Sequence, residues 1–228
     1  AKKGGLAPAY RVLSVQLVDF PHPFYYTIYT IRGVFLKGEE GQNHFVLFVC
    51  KKENCVMKHI LVIVGSCRKN GNTEQLADAF IRGAQDAGHR VEKVFLGAKK
   101  INGCLGCNAC RYGKPCVQKD DWKEIVPLLE KADLLVLASP LYFWTLSART
   151  KAFIERLYSI AREDPHPPLG RYERYPQKDC ALLLTAADDF FWTFEQAVSY
   201  YRFALIRYIG FCDKGILAAG GCGDTNGR

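Results

Sequence analysis

Short, uninterrupted runs of apolar residues separated by helical patterns constrain the fold of this chain more than any other feature. Three of these runs, residues 59–65, 133–138 and 180–185, are apolar almost throughout, which is typical of strands buried on both faces of a parallel sheet. Two further segments, 91–96 and 214–219, are less uniformly apolar and complete a set of five predicted strands. The pattern predicts an α/β fold, a doubly wound five-stranded parallel sheet with helices on both faces. Ligands of such sheets bind beyond the carboxyl ends of the strands.

The chain changes character near Met57, the single methionine among its 228 residues. Residues 1–56 hold short β-like runs without a regular pattern, whereas residues 57–228 hold the alternating strands and helices. We predict an N-terminal extension outside the functional domain, with the native chain starting at Met57. The domain itself, 57–228, is expected to lack a closing C-terminal helix. The alternative is an accessory segment that pairs with a sheet edge or a second subunit.

Composition excludes several classes of protein. The formal net charge of +8 is mild and scattered, which favours a solvated surface suited to anionic cofactors over nucleic-acid binding. No apolar run approaches the ~20 residues of a membrane helix. Ten cysteines would suit a secreted disulfide scaffold, but a chain of this length needs no such cross-links and four of them share one loop. We therefore predict a cytoplasmic protein without a membrane or nucleic-acid partner.

A polar turn, residues 65–73, joins the first predicted strand to the first predicted helix. Free backbone N–H groups and the positive end of the helix dipole make such a turn a phosphate site. Ser66, Asn72 and Thr73 add hydrogen-bond donors, and Arg68 adds a charge that can bind phosphate through two bonds. The dinucleotide fingerprint is absent, which favours a single terminal phosphate. The alternative is an ordinary polar turn with a capping asparagine.

Three consecutive aromatic residues follow the third predicted strand, in the segment 139–147. Tyr142, Phe143 and Trp144 stand where solvent is expected to begin. A flat ring ligand would explain them, with backbone groups near Leu141 bonding its edge and an aromatic side chain covering its face. The alternative is a hydrophobic loop packed into a dimer interface, and both can hold together.

Four cysteines, Cys104, Cys107, Cys110 and Cys116, lie within thirteen residues. Thiolates at this spacing can surround an iron–sulfur cluster or a zinc ion, and they can also pair as disulfides. The other cysteines and the five histidines show no ligand spacing. We interpret five of these cysteines as core or incidental residues, namely Cys50, Cys55, Cys180, Cys212 and Cys222.

These motifs resemble the flavodoxin-like family of NAD(P)H-dependent FMN reductases and iron–sulfur flavoproteins. The resemblance rests on Gly-Ser-x-Arg-x-x-Gly-Asn-Thr, on Gly-Cys-x-x-Cys-x-x-Cys, and on Ser-Pro-Leu-Tyr followed by Lys-Ala-Phe-Ile-Glu-Arg. It runs from about Lys58 to Gly221 and implies FMN, strand order 2-1-3-4-5 and two-electron chemistry at flavin N5. No catalytic acid–base residue is then required of the protein. One departure is Cys67, where the family usually has proline.

The resemblance also implies roles for individual residues. The FMN phosphate would be held by Ser66, Arg68, Asn72 and Thr73. The isoalloxazine ring would be framed by Pro140, Leu141, Tyr142, Phe143, Trp144, Thr185 and Ala186. The four clustered cysteines resemble the motif with which iron–sulfur flavoproteins bind a [4Fe–4S] cluster, and free thiols or zinc stay open as alternatives.

The sequence thus predicts an FMN-dependent oxidoreductase that passes electrons from NAD(P)H to a quinone, flavin, nitro compound or redox protein. The main alternative is an iron–sulfur flavoprotein electron carrier with a [4Fe–4S] cluster that exchanges electrons with a carrier such as ferredoxin. A third hypothesis is a non-catalytic flavin-binding or zinc-stabilised interaction protein. We expect a homodimer or a higher oligomer.

Overall fold

A computed structural model describes residues 34–37, 43–46, 56–110, 114–163, 173–190 and 192–223. The strands in this part of the chain are β1 (Val34–Lys37), β2 (Asn43–Val46), β3 (His59–Val64), β4 (Arg90–Phe95), β5 (Leu134–Tyr142), β6 (Thr145–Leu146), β7 (Arg162–Glu163), β8 (Glu173–Arg174), β9 (Asp179–Thr185) and β10 (Cys212–Ala219). The helices are α1 (Asn72–Asp86), α2 (Trp122–Lys131), α3 (Ala148–Arg156) and α4 (Glu195–Tyr201). A π-helical stretch, Arg202–Ile209, continues α4, and 3₁₀ turns occupy Leu96–Ala98 and Leu157–Ile160.

A parallel sheet in the order β4–β3–β5–β9–β10 forms the centre of the fold. Counted along the five predicted strands, this order is 2-1-3-4-5, so the predicted fold class and strand order are confirmed. The pairs β3–β4, β3–β5, β5–β9 and β9–β10 are all parallel. β6 adds a short antiparallel partner to the end of β5.

The third strand of the sheet extends further than its apolar run. That run ends at Ala138, but β5 continues to Tyr142 and then turns back as β6. The prediction of a loop over 139–147 was therefore wrong, because this segment forms the end of β5, a two-residue turn and β6. Pro140 pairs with Thr185 of β9, so β5 continues as far as its neighbour supplies ladder partners. Apolar composition carries no information about that partner.

Two apolar layers cover the faces of the sheet, because alternate residues of a strand point to opposite faces. Val62 and Val136 share one layer with Leu76 and Ala77 of α1. The opposite layer contains residues of β3, β5 and β9 together with α2, α3 and α4. Trp122 of α2 and Phe153 of α3 meet there edge to face, with ring centroids 5.4 Å apart. Helices thus lie on both faces, as predicted.

The first predicted helix, which follows the polar turn, corresponds to α1. Its apolar side chains recur at three- and four-residue spacing and face the sheet. The helix ends before Gly88, whose φ of +86° suits glycine. No helix among the described residues combines the length and apolar character needed to cross a membrane.

Residues before Met57 are described only in part. β1 and β2 form an antiparallel pair of strands, and most of the predicted β-like runs lie outside the described residues. The division at Met57 therefore stays a prediction.

Candidate functional site

The turn predicted to bind phosphate lies at the carboxyl edge of the sheet, between β3 and α1. Ser66 Oγ accepts the backbone N–H of Arg68 at 3.0 Å and tightens the turn. Gly71 is the N-cap residue of α1 and has no side chain with which to occupy the first-turn N–H groups. A helix start of this kind suits an anion, because those N–H groups have no partner within the helix. The exposed Arg68 stands at the same turn.

The end of this turn is linked to two neighbouring loops. Thr73 Oγ1 and Thr185 Oγ1 are 2.7 Å apart and both residues are buried. Asn72 Nδ2 donates to the carbonyl oxygen of Cys222 at 2.6 Å. The backbone of Ala186 bonds to Cys222 and to the end of β10. The structure therefore brings together predicted site residues that follow the first and the fourth strand of the sheet.

A buried acidic residue, Glu74, stands in the first turn of α1. Its carboxylate accepts hydrogen bonds from Lys93 Nζ at 2.8 Å and from the Asn70 backbone N–H at 2.6 Å. Burial acts to raise the pKa of Glu74, but these two donors lower it below its ordinary value. Because Lys93 balances this negative charge, the positive end of α1 still suits an anionic ligand.

A cluster of buried hydroxyl groups supports the turn from below, and the sequence analysis did not identify it. Ser147 Oγ donates to the carbonyl oxygen of Gly65 at 2.7 Å and lies 2.9 Å from Thr150 Oγ1. Ser139 Oγ accepts the Ser147 backbone N–H and the Thr150 hydroxyl. A Cβ at Gly65 would overlap Thr150 Oγ1, so the start of the turn requires glycine. Ser147 could have been found from the sequence, because serine is a common first residue of helices. In the structure its side chain accepts the backbone N–H of Thr150 and caps α3.

The predicted aromatic segment forms the tip of the β5–β6 hairpin. Phe143 and Trp144 are its two turn residues and have φ angles of +50° and +58°. Two-residue hairpins with two positive φ angles match the twist of their strands, but they prefer Asn and Gly. Bulky residues are uncommon there and are found where strain serves a site. The two ladder pairs of the hairpin are Leu141–Leu146 and Tyr142–Thr145.

Aromatic side chains from two loops form an exposed cluster at this edge. Phe143 is 93% exposed, and Tyr142 and Trp144 are about half exposed. The ring centroid of Trp144 lies 5.5 Å from that of Trp192, which stacks on Phe190 with an interplanar angle of 5°. Sequence analysis missed Phe190 and Trp192, although they form a second aromatic run beyond a buried strand. The cluster provides flat apolar surface where a ring ligand would lie.

A buried ion pair supports the base of the cysteine loop. Arg156 bonds both carboxylate oxygens of Asp120, at 2.6 and 3.0 Å, and also the carbonyl oxygen of Asn102. Burial acts to raise the pKa of Asp120, but Arg156 and the N–H groups of Asn102 and Trp122 hold it below its ordinary value of 3.8. The guanidinium lies over the Trp122 ring, 5.3 Å from its centroid. Asn102 precedes the cysteine loop and Asp120 follows it, so Arg156 holds the two ends of the loop together.

Further contacts tie the start of the loop to α3. The backbone N–H of Cys104 donates to Glu155 Oε2 at 3.0 Å. Glu155 also binds Lys151, which lowers the pKa of its carboxyl group despite partial burial. Gln118 Nε2 donates to the carbonyl oxygen of Gly103 at 3.0 Å. These contacts fix the chain at Gly103 and at Cys104, the first of the four clustered cysteines.

The four clustered thiols are near one another but do not form a closed ligand set. Cys104 and Cys107 are exposed, and Cys110 and Cys116 are half-buried. Burial raises the pKa of Cys110, and negative charge on the other three sulfurs would raise it further. Within the described ranges, no group of three or more potential ligands is arranged around one centre. The donors are nevertheless soft thiols in one loop, which fits iron or zinc once the loop closes around it.

A cavity of about 290 Å³ separates this loop from the body of the domain. Its lining includes Cys104 and Cys110 on one side and Tyr158 and Tyr208 on the other. Cys180, in contrast, lies fully buried in β9, where burial raises the pKa of its thiol to about 12. Its predicted assignment to the core is confirmed.

Comparison with known proteins decides the family. The family model described as NADPH-dependent FMN reductase matches residues 58–171. The chain belongs to this family. The matched residues include the turn after β3, the cysteine loop and the aromatic hairpin, so the resemblance read from the motifs is confirmed.

Two individual relatives carry the name of the iron–sulfur flavoprotein branch of that resemblance. An iron–sulfur flavoprotein of Archaeoglobus fulgidus is 43% identical over 95 residues, which are 42% of this chain and 43% of the relative. An iron–sulfur flavoprotein of Methanosarcina thermophila is 32% identical over 102 residues, 45% of this chain and 53% of the relative. The chain spans about half the length of these curated relatives.

Solved structures agree on the fold. An NAD(P)H:quinone oxidoreductase from Methanothermobacter marburgensis superposes with a TM-score of 0.59 and 18% identity, over 76% of this chain and 87% of the other. An azoreductase from Bacillus anthracis superposes with a TM-score of 0.52 and 16% identity, over 72% and 88%.

Proposed function

We propose that this chain forms an FMN-dependent oxidoreductase that passes electrons from NAD(P)H to a second acceptor. The observation that carries the proposal is the convergence of three loops at the carboxyl edge of the sheet. The start of α1, directly after the predicted phosphate turn, meets the end of β9 through Thr73 and Thr185, and Trp144 of the hairpin meets Trp192. Membership of the FMN reductase family supports the same reading.

Each loop would have a separate task in holding FMN. Arg68 and the first turn of α1 would bind the terminal phosphate, with Ser66, Asn72 and Thr73 shaping the turn. Pro140, Leu141 and Ala186 would border the ring, and the exposed Tyr142, Phe143 and Trp144 would cover it and exclude water. Held by these residues, FMN would supply the two-electron chemistry that links the nicotinamide to the acceptor. The protein's contribution is orientation and shielding, and we assign no residue as a catalytic acid or base.

The acceptor and the assembly belong to the proposal as well. A quinone, a nitroaromatic compound, a free flavin or a redox protein would accept the electrons. The exposed aromatic cluster suits a second copy of the chain, which would bury it in a homodimer. A cytoplasmic location stays a prediction.

The test is steady-state oxidation of NADH and of NADPH by the full chain reconstituted with FMN, with excess benzoquinone as acceptor. Turnover should require both FMN and the acceptor. A chain that binds FMN stoichiometrically but oxidises neither nucleotide would contradict the proposal and favour a non-catalytic flavin-binding protein.

A second candidate is an iron–sulfur flavoprotein electron carrier, favoured by the four cysteines of one loop and by the names of the relatives. In that case Cys104, Cys107, Cys110 and Cys116 would hold a [4Fe–4S] cluster, and a one-electron carrier such as ferredoxin would replace the nicotinamide. Anaerobic purification separates the two candidates. Brown protein with broad visible absorbance and bound iron supports the carrier, and plain yellow protein supports the reductase.

A further inference from the structure

A single buried hydrogen-bond donor next to the cysteine loop is unpaired. Arg156 is 1% exposed, and its two terminal nitrogens are bonded to Asp120 and Asn102. Among the described residues, Nε of this guanidinium is the buried side-chain nitrogen or oxygen without a hydrogen-bond partner. Buried donors are normally paired, and an exception needs a physical reason.

The candidate acceptor for this donor is one of the four clustered thiols. Burial acts to lower the pKa of Arg156, while Asp120 and the neighbouring sulfur of Cys116 raise it. Cys116 is thus close enough to act on the guanidinium, although Nε has no acceptor within bonding distance in this arrangement. As a metal-bound thiolate, this sulfur would be a stronger acceptor for the Nε–H group than the neutral thiol.

We propose that Arg156 is a positioning residue for a metal centre at the cysteine loop, whose Nε–H donates a hydrogen bond to the Cys116 sulfur. This inference rests on the second candidate function, the iron–sulfur flavoprotein. Asp120 and Asn102 accept hydrogen bonds from the two terminal nitrogens, so that Nε is the guanidinium nitrogen without a partner. Arg156 therefore acts through Cys116 and touches neither FMN nor substrate.

The charge of Arg156 gives the contact a redox consequence. Four thiolates make an iron–sulfur centre anionic, and uptake of one electron adds one further negative charge without breaking a bond or moving a proton. The electron is supplied by a one-electron donor, here a chemical reductant acting through mediators. A fixed positive charge and an N–H···S hydrogen bond both favour the reduced form, because they stabilise the added charge. Arg156 is therefore expected to raise the reduction potential.

The experiment compares the full FMN-bound chain with its Arg156→Lys variant after anaerobic reconstitution with iron and sulfide. Lysine keeps the charge and can still bind Asp120, but its single nitrogen provides no counterpart of Nε that could donate to Cys116. We expect similar iron content and about a tenfold smaller equilibrium constant for cluster reduction, which is 59 mV for a one-electron couple. The potential is measured by redox titration followed with EPR. Arg82→Lys, an exposed substitution on α1, is the matched control and should leave the potential unchanged.

Each outcome decides a separate question. An unchanged potential in Arg156→Lys with full iron overturns the role of Arg156 and leaves the cluster standing. A wild-type chain that binds FMN but no iron overturns both the carrier function and this role. If Arg156→Lys does not fold, as judged by lost FMN, the double variant Asp120→Asn/Arg156→Gln removes both buried charges together. It should show the same lowered potential, and an unchanged value again overturns the role.

Discussion

The turn after β3 and the cysteine loop are organised in opposite ways. Ser66 and Thr73 of the turn are only 3% and 2% exposed, and buried hydroxyl groups support Gly65 from below. The cysteine loop is held at its base by Asp120 and Arg156, while two of its thiols are exposed. One candidate site is therefore completed by folding, and in the other the potential ligands are not gathered around one centre.

Electrostatics explains the difference. A phosphate site made of N–H groups at a helix start is complete as soon as strand and helix pack. Four thiolates repel one another, so they approach closely only when a cation balances their charge. The raised pKa of Cys110, caused by burial and by its neighbouring sulfurs, is a sign of that repulsion. The comparison implies that FMN binding and metal binding can be separated by mutation.

Replacing one of the four clustered cysteines should have the largest effect, because it should remove the iron and leave FMN binding unchanged. We expect Cys107→Ser to reduce iron from about four per chain to nearly none after anaerobic reconstitution, because a [4Fe–4S] cluster uses all four cysteines. FMN stoichiometry should not change. Cys212→Ser, at an exposed cysteine outside the loop, is the control and should keep its iron. Joint loss of FMN and iron in Cys107→Ser would show that the two sites are not independent.

Breaking the ion pair below the cysteine loop should have the next largest effect. Asp120→Asn leaves the buried guanidinium of Arg156 without its counter-charge, which should lower the free energy of unfolding by about 3–5 kcal/mol at pH 7. The pKa of Asp120 lies below its ordinary 3.8 in the folded state. Its contribution is therefore full above that pH and is lost as the pH falls through the lowered pKa.

Urea unfolding of the wild type and Asp120→Asn at pH 7 and below pH 4 measures both effects. The difference between the two proteins should shrink at the lower pH. Glu92→Gln, which removes the exposed pair with Lys131, is the control and should matter much less. A pH-independent difference would mean that Asp120 acts through packing and not through its charge.

Mutation of Arg68 tests whether the turn after β3 binds the FMN phosphate. Arg68→Ala should weaken FMN binding by about 1.5–3 kcal/mol, the scale of a hydrogen bond between charged groups, with the melting temperature unchanged because the side chain is exposed. Quenching of flavin fluorescence gives the dissociation constant. Lys69→Ala removes the same charge from the adjacent exposed position and should weaken FMN less. Equal losses of FMN affinity in the two variants would mean that Arg68 acts through long-range electrostatic attraction and not through a direct hydrogen bond.

The smallest effect is expected from relieving the backbone strain at the tip of the β5–β6 hairpin. Phe143 is almost fully exposed at a positive φ, and asparagine tolerates that conformation better. Phe143→Asn should therefore stabilise the apoprotein by about 1 kcal/mol and weaken FMN if the ring contacts the cofactor. Thermal melts with and without FMN measure both. Phe203→Asn, an exposed aromatic in a helical segment, should give no gain in stability.

The fold was more predictable than the contacts of the site. Continuous apolar runs identified three of the five strands, because strands covered on both faces have no polar side to interrupt them. The motifs identified the family and, through it, the strand order. The extension of β5 to Tyr142 could not be predicted, since it depends on pairing with β9 and β6 and not on composition. Trp192 was missed although the aromatic run 190–192 repeats the signal of 142–144.

The sequence by itself determined the alternating α/β pattern, the polar turn after the first strand and the supply of four thiols, because each depends on neighbouring residues. Only the tertiary structure decided which groups meet. Thr73 and Thr185 are 112 positions apart, and Asp120 and Arg156 are 36 apart. Contacts over such separations are set by strand order, register and helix packing, which bring loops from distant parts of the chain to the same edge.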